Sequence, residues 1–275
     1  MAQSTNALAD VQNSADERGV ALDQVGVRDL KYPITVLDRN DETQQTVAEV
    51  SMSVGLPHHF KGTHMSRFIE VLNQYRGEFT MRTLPDLLST LRGRLDAEQA
   101  RIEVTFPYFM ERTAPVTEKK ALMDYQCSFV GTVNGGGSTF TLGVRVPVTS
   151  LCPCSKEISD QGAHNQRGHV DIQVRSVRNG DGAPELIWIE ELVDMAEASA
   201  SAPLYPLLKR PDERHVTMQA YENPAFVEDI TRDMALHLKE DERVAWFHLE
   251  VVNFESIHNH NAFSEVAWCR DTSRP

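Results

Sequence analysis

The strand and helix signals of this sequence follow the same order twice. Residues 46–55 alternate between apolar and polar side chains, which is typical of a half-buried strand, whereas residues 65–75 carry apolar side chains at helical spacing. The first set of signals lies at residues 32–38, 46–55, 65–75, 83–100, 102–115 and 121–133. After the turn run NGGGST, the second set lies at residues 140–151, 169–177, 186–201, 223–240, 244–256 and 262–269. The sequence therefore predicts two tandem ββααββ halves.

This order predicts an α+β fold in which helices cover one face of an antiparallel sheet, because the connections between strands are short. We place a mobile N-terminal arm at residues 1–28, a first half at residues 29–135 and a second half at residues 136–275. An open sheet leaves two edge strands unpaired, and pairing several copies edge to edge removes that liability. We therefore expect a barrel-like homo-oligomer with sites between its chains.

The composition narrows the class of protein. Of the 275 residues, 41% are hydrophobic and the net charge is −13. Such a chain is typical of a soluble domain, and its acidity argues against non-specific binding to nucleic acid or to an anionic membrane. We see no secretion signal and no apolar run approaching about 18 residues, so we expect a cytoplasmic protein. Four cysteines are too few for a disulfide framework, and Cys127 and Cys269 fall in strand patterns, so we assign those two to packing.

The run SLCPCSKEISDQGAHNQRGH concentrates metal-ligand side chains. Cys152 and Cys154 flank Pro153, which predicts a stiff, non-helical segment that presents thiols at low ordering cost. His164 and His169 follow just before and within a predicted strand. Thiolate and imidazole favour zinc or another late divalent metal, with three protein ligands in a catalytic site. The alternative interpretation is a buried cysteine beside histidines that cap or line a strand.

Taken with KGTHMSRF, LLKRPDE and ESIHNHNAF, this run resembles the type IB family of GTP cyclohydrolase I. The resemblance spans nearly the whole chain beyond the first thirty residues. It implies two tunnelling-fold (T-fold) halves and a homotetramer with active sites at subunit interfaces. It also implies a metal-dependent hydrolysis that opens the imidazole ring of GTP, releases formate and forms 7,8-dihydroneopterin triphosphate at the head of tetrahydrofolate synthesis.

The resemblance implies a metal site. Carried over to this sequence, the ligands fall on Cys152, His164 and Glu213, with Asp212 and Glu197 as alternatives to the glutamate. This donor set is compatible with zinc, manganese or iron. Cys154 then becomes a second thiol beside the metal, able to replace a displaced ligand or to join the chemistry.

Further residues are assigned to catalysis and to the guanine base. His258 and His260 stand two apart, so on an extended segment both imidazoles point to one face. Sequence alone leaves open a solvated loop or a pair of proton carriers, and the resemblance favours catalysis. By resemblance, Glu228 binds the N1 and 2-amino edge of guanine, with Glu222 as the alternative.

The triphosphate requires positive charge. Lys61, His64 and Arg67 lie before and at the start of a predicted helix, where backbone amides attract anions. Lys209 and Arg210 form a second candidate cluster.

Three rival functions remain open at this point. One is a related cyclohydrolase that makes a cyclic phosphate, and another is an NADPH-dependent nitrile reductase with a cysteine nucleophile. The third is a non-catalytic protein in which the metal only ties strands together.

Overall fold

The architecture is taken from a computed structural model that describes residues 10–40, 42–75, 77–180 and 182–270. The strands are β1 (Leu22–Asp38), β2 (Glu42–Leu56), β3 (Gly77–Glu78), β4 (Ala100–Thr113), β5 (Lys120–Asn134), β6 (Gly137–Leu151), β7 (Asn165–Ser176), β8 (Ala202–Pro203), β9 (Val244–Asn253) and β10 (Ala262–Cys269). The helices are α1 (Met65–Gln74), α2 (Leu84–Arg94), α3 (Pro153–Ile158), α4 (Ile189–Ser199), α5 (Arg210–Glu222) and α6 (Val227–Glu240).

The strands form one open sheet in the order β10-β9-β7-β6-β5-β4-β2-β1-β3, with β8 paired to β6. Neighbouring strands are antiparallel except for the short β1 and β3 pair. The predicted α+β fold with an antiparallel sheet is therefore confirmed. The predicted division into two tandem halves and the predicted assembly stay predictions.

One face of the sheet forms the core. In β2, Ala48, Val50, Met52 and Val54 are buried while the residues between them point to the other face. The same alternation continues through the sheet, and α2, α4 and α6 pack on the apolar face. Burying each large aliphatic or aromatic side chain contributes about 1.5–3 kcal/mol. The opposite face is polar, as in the Arg145 and Asp171 ion pair of 2.6 Å between β6 and β7.

The contact of α4 with β4 and β5 contains buried acids, and we call it the α4 seam. Tyr108 and Tyr125 are cross-strand partners, and Glu190 and Glu197 lie two helical turns apart on α4. Tyr108 Oη donates to Glu190 Oε1 over 2.6 Å, and Tyr125 Oη donates to Glu197 Oε1 over 3.2 Å. Arg112 also donates to Glu197. Each buried acid thus has a hydrogen-bonding partner from the sheet.

The first strand begins earlier than predicted, at Leu22 rather than Tyr32. Its inward side chains change parity, from Val25 and Val27 to Leu30 and Tyr32, because the register shifts between Val27 and Leu30 and Asp29 has a φ of 62°. Because of that bulge, no single apolar-polar alternation runs through the whole strand, and its first part was not predicted. Of the predicted arm, residues 1–9 lie outside the described residues.

Two helices were not predicted. The prediction that the CPC segment is non-helical is wrong, because Pro153 is the first residue of α3 and Cys152 is its N-cap. Neither α3 nor α5 has an apolar stripe. No residue of α3 is buried, and α5 buries only Asp212 and Ala220. Within the described part of the chain, no helix is both long and apolar enough to cross a membrane.

Candidate functional site

The residues predicted to supply a thiol and an imidazole are backbone neighbours where β6 and β7 end. The ladder between these strands runs to the pair Leu151 and Asn165, and the Cys152 amide then donates to the His164 carbonyl over 3.1 Å. Both residues are half-buried. The sheet therefore holds their backbones side by side although eleven residues separate them in the chain.

Ser155, in the first turn of α3, ties these two residues together further. Its amide donates to Cys152 Sγ over 3.3 Å, and its hydroxyl accepts from the His164 amide over 3.2 Å. The helix that sequence reasoning missed is thus the element that positions the thiol. Cys154, the second residue of α3, is exposed.

The β9–β10 loop brings two more imidazoles to the same end of the sheet. The rings of His258 and His260 stack with centroids 5.2 Å apart, and His258 meets His164 edge-on at 6.5 Å. Both loop histidines are exposed. We call Cys152, His164, His258 and His260 the sheet-end cluster. The chain bends at residues 256–260 and is not extended there, so strand alternation is not what brings these two rings together.

A buried glutamine supports His164. Gln166 Oε1 lies 2.9 Å from His164 Nδ1, and the Gln166 side chain is on the buried face of β7. Sequence reasoning did not identify this residue. The signal available was a polar side chain at a strand position whose neighbours in the alternation, Gly168 and Val170, are buried.

The third predicted ligand is not part of this cluster in the single chain. Within the described ranges, no three His, Cys, Asp or Glu side chains form a group suited to a metal ion. Glu213 is exposed in the first turn of α5.

The alternatives to Glu213 have structural partners. Asp212 is buried and accepts from the amides of Val116, Thr117 and Lys209 and from the Thr117 hydroxyl. Burial opposes ionisation, but these hydrogen bonds outweigh it and hold the pKa of Asp212 well below its ordinary value. Glu197 belongs to the α4 seam, where burial raises its pKa.

His169 lies away from the cluster. It occupies the middle of β7 between Pro147 and Val252, and its ring packs edge-on against Phe254 at 5.0 Å. Burial, and then the charge of Arg145, lower the pKa of His169. The structure therefore does not bring it together with Cys152 and His164.

The two candidate guanine-binding acids flank a connection that is attached to the site. The Ala225 amide, between α5 and α6, donates to the Leu151 carbonyl over 3.1 Å. Glu222 ends α5 and Glu228 lies in the first turn of α6, and both are exposed. Asp229, not Glu228, caps α6, since it accepts from the Phe226 amide over 3.0 Å. Glu228 is thus left without a capping role.

The candidate phosphate-binding residues lie elsewhere in the chain. His64 Nε2 is 3.3 Å from Asp10 Oδ1, and Arg67 Nη1 donates to the Arg94 carbonyl over 3.0 Å. Both line a hollow whose walls include Val54, Phe60 and Leu95, and no residue of the sheet-end cluster lines it.

The other basic residues also lie apart from the cluster. Lys61 lies in the chain between Phe60 and Gly62, which both line this hollow. Its amide donates to the Ser14 carbonyl. Lys209 and Arg210 are exposed at the start of α5.

Comparison with known proteins places these residues in a family. A family model described as type I GTP cyclohydrolase folE2 matches residues 8–264. The chain is 52% identical over 259 residues to a protein of Syntrophotalea carbinolica named GTP cyclohydrolase FolE2, with 94% of each chain covered. A protein of the same name from Nitrosococcus oceani is 51% identical over 259 residues, again with 94% of each covered.

Solved structures give the fold. Uricase from Arthrobacter globiformis matches with a TM-score of 0.52 and 10% identity, covering 92% of this chain and 95% of that one. Urate oxidase from Bacillus sp. TB-90 matches with a TM-score of 0.52 and 11% identity, covering 90% and 99%. At such low identity the likeness concerns the T-fold architecture alone.

Proposed function

This chain belongs to the type I GTP cyclohydrolase FolE2 family, and on that premise we propose how its residues open the guanine ring of GTP. The protein is a GTP cyclohydrolase I of the folate pathway, which releases formate and forms 7,8-dihydroneopterin triphosphate. The observation that carries this conclusion is the family match over residues 8–264, which includes both Cys152 and His164. The mechanism below concerns the roles of individual residues.

Cys152, His164 and Glu213 are the proposed ligands of a divalent metal. The adjacent ends of β6 and β7 supply a thiol and an imidazole, a donor pair that suits zinc, and the carboxylate extends the set toward manganese or iron. When bound, such an ion would lower the pKa of a water molecule from about 15.7 toward 7 and so supply the nucleophile for C8 of guanine.

The two histidines of the β9–β10 loop are the proposed proton carriers. Imidazole titrates near neutral pH, so His258 or His260 can protonate N7 or the departing nitrogen and later remove a proton during ring closure. Their stacked rings at 5.2 Å allow both to reach one substrate. Cys154 is exposed beside Cys152 and is proposed as an accessory thiol in this chemistry.

Recognition of GTP is assigned to the flanking acid and to the basic run before α1. The Glu228 carboxylate would accept two hydrogen bonds from the N1 and 2-amino groups, a pattern that adenine lacks. Lys61, His64 and Arg67 would hold the triphosphate. Because His64 and Arg67 line a hollow separate from the sheet-end cluster, this role requires a second copy of the chain.

We propose that copies pair along the two edges of the sheet to form a homotetramer: β10 at one edge, and β1 beyond the short β3 at the other. Each copy would contain two T-fold halves, at residues 29–135 and 136–275, with residues 1–28 as an arm. The four cysteines are free, and a thiol ligand must stay reduced, so the proposed compartment is the cytoplasm.

The test is to incubate zinc-loaded or manganese-loaded protein with GTP and to measure formate release and pterin fluorescence. Chelated protein and ATP are the controls, and neither should give product. Product analysis by mass distinguishes the dihydroneopterin triphosphate from a cyclic phosphate. Equal formate release before and after chelation would contradict the proposed metal.

A further inference from the structure

A buried chain of hydrogen bonds leads from His164 into the core. His164 Nδ1 contacts Gln166 Oε1, and Gln166 Nε2 lies 3.3 Å from Ser150 Oγ. Ser150 Oγ also lies 3.0 Å from Asn253 Nδ2 and 2.9 Å from the Ala225 carbonyl. Gln166, Ser150 and Asn253 are 7%, 1% and 3% exposed. Because water hardly reaches these groups, they must satisfy one another.

The direction of this chain follows from the Ala225 carbonyl. A carbonyl oxygen only accepts, so the single hydrogen of the Ser150 hydroxyl is donated to Ala225. The two lone pairs of Ser150 Oγ must then accept from the amide groups of Gln166 and Asn253. The nitrogen of the Gln166 side chain therefore faces Ser150, and its oxygen faces His164.

We propose that Gln166 is a positioning residue that keeps the hydrogen of His164 on Nδ1 and thereby presents the lone pair of Nε2 to the site. The Gln166 oxygen cannot donate, so the histidine nitrogen beside it must carry the hydrogen. The Ser256 hydroxyl is 3.5 Å from the same nitrogen, too far for a strong competing bond. The inference deepens the proposed function, since it rests on His164 as a ligand.

Asn253 supports this interpretation. Its Oδ1 is buried and has no hydrogen-bond partner among the described residues, an arrangement that lowers stability. Stability alone therefore does not explain an asparagine at this position. Its role in the chain of bonds does, because its amide nitrogen donates to the second lone pair of Ser150 Oγ. Gly168 makes room for it, because a Cβ there would stand 2.5 Å from Asn253 Oδ1 and 2.7 Å from the Val252 carbonyl.

The experiment measures the His164 tautomer in metal-free, full-length protein. Long-range hydrogen–nitrogen correlation spectra of histidine-labelled protein at pH 8 separate the two neutral tautomers, and His164→Asn assigns the signal among the ten histidines. We expect the Nδ1–H tautomer in the unaltered protein. Gln166→Met has similar length but offers only a weak sulfur acceptor, so the Nε2–H form should appear, and zinc binding should weaken about 10- to 100-fold.

Two variants control for structure. Gln166→Glu keeps an acceptor beside Nδ1 and should retain the Nδ1–H tautomer. Ser201→Ala removes a fully buried hydroxyl that accepts from the neighbouring Leu151 amide over 3.0 Å but lies outside the chain of bonds. It should lower the melting temperature and leave the tautomer unchanged.

An unchanged tautomer in Gln166→Met, or an equal change in Ser201→Ala, would overturn the proposal. If Gln166→Met does not fold, Ser150→Ala decides, because it frees the Gln166 amide to rotate and should produce a mixed tautomer. A single Nδ1–H form in that variant overturns the proposal as well. Failure to bind zinc or to release formate from GTP would instead refute the proposed function, since the tautomer is read without metal.

Discussion

The sheet-end cluster and the α4 seam both concentrate titratable side chains, but they treat them in opposite ways. In the seam, Glu190 and Glu197 are buried and hydrogen-bonded to Tyr108 and Tyr125. In the cluster, Cys152 and His164 are half-buried and His258 is exposed. The seam buries its acids, whereas the cluster leaves its side chains partly or fully exposed. Access, rather than the number of ionisable groups, distinguishes a site from a structural contact.

Several side chains with raised pKa values lie in the α4 seam. Burial raises the pKa of Tyr108, Tyr125 and Glu197 above their ordinary values, and hydrogen bonds or charges of neighbouring acids add to the shift in both tyrosines. Buried structural networks perturb pKa values as readily as active sites do. In this protein the backbone register of β6 and β7 brings the candidate site residues together, whereas raised pKa values point to α4.

The largest expected effect is loss of a proposed ligand. Cys152→Ala or His164→Ala should remove bound zinc and reduce turnover of GTP by at least about 10⁴-fold. This exceeds the effect of losing one proton carrier, which contributes at most about 10⁴-fold. Metal content by mass spectrometry and pterin fluorescence measure both losses. Cys269→Ala, at an exposed position on β10, is the matched control and should behave as the unaltered protein. Full activity without metal would refute this assignment.

Loss of a proton carrier should come next. His258→Asn or His260→Asn should reduce kcat about 100- to 10,000-fold while zinc content stays constant, because neither is a proposed ligand. Steady-state kinetics with parallel metal analysis make the measurement. Loss of zinc from either variant would show that these histidines bind the metal instead.

Substitutions in the α4 seam should lower the free energy of unfolding and leave the activity unchanged. Glu190→Ala removes the acceptor of the Arg39 amide and one acceptor of the buried Tyr108 hydroxyl, which should cost about 1–3 kcal/mol. Urea unfolding measures the loss, and kcat per folded molecule should not change. Tyr108→Phe removes only the donor and should cost less, about 1 kcal/mol. A large fall in kcat for either variant would break the distinction between seam and cluster.

The smallest effect is a pH dependence from Asp212. Its pKa is lower in the folded protein than its ordinary 3.8, so its stabilising contribution is complete above that value and is lost as the pH falls below it. Asp212→Asn should lower the melting temperature at pH 7. In this variant the melting temperature should also fall less steeply below about pH 4. Asp233→Asn, at an exposed position of α6, should leave the acid decline unchanged. If the melting temperatures of the unaltered protein and both variants fall in parallel as the pH is lowered, Asp212 does not have this role.

The sequence located the elements that carry long apolar patterns, and it missed those that do not. The alternation of β2 and the helical spacing of α6 were visible because half of each element is buried. The α3 and α5 helices carry no such stripe, and the bulge at Asp29 broke the pattern of β1. Cys152 and His164 were found as metal-ligand residue types crowded into one run, and the family resemblance assigned His258 and His260 to catalysis. Gln166 was not found.

What the sequence determined by itself was the class of fold, the order of the long strands and of the helices with an apolar stripe, and the candidate metal-binding residues, since these depend on local periodicity and chemical type. Only the tertiary structure decided which of them meet. The register of β6 and β7 sets Cys152 beside His164 and places His169 elsewhere, and the packing of α5 turns Asp212 into a cap. A connection that contains α3 joins β6 to β7, so no tight-turn signal in the sequence fixes the register of this pair.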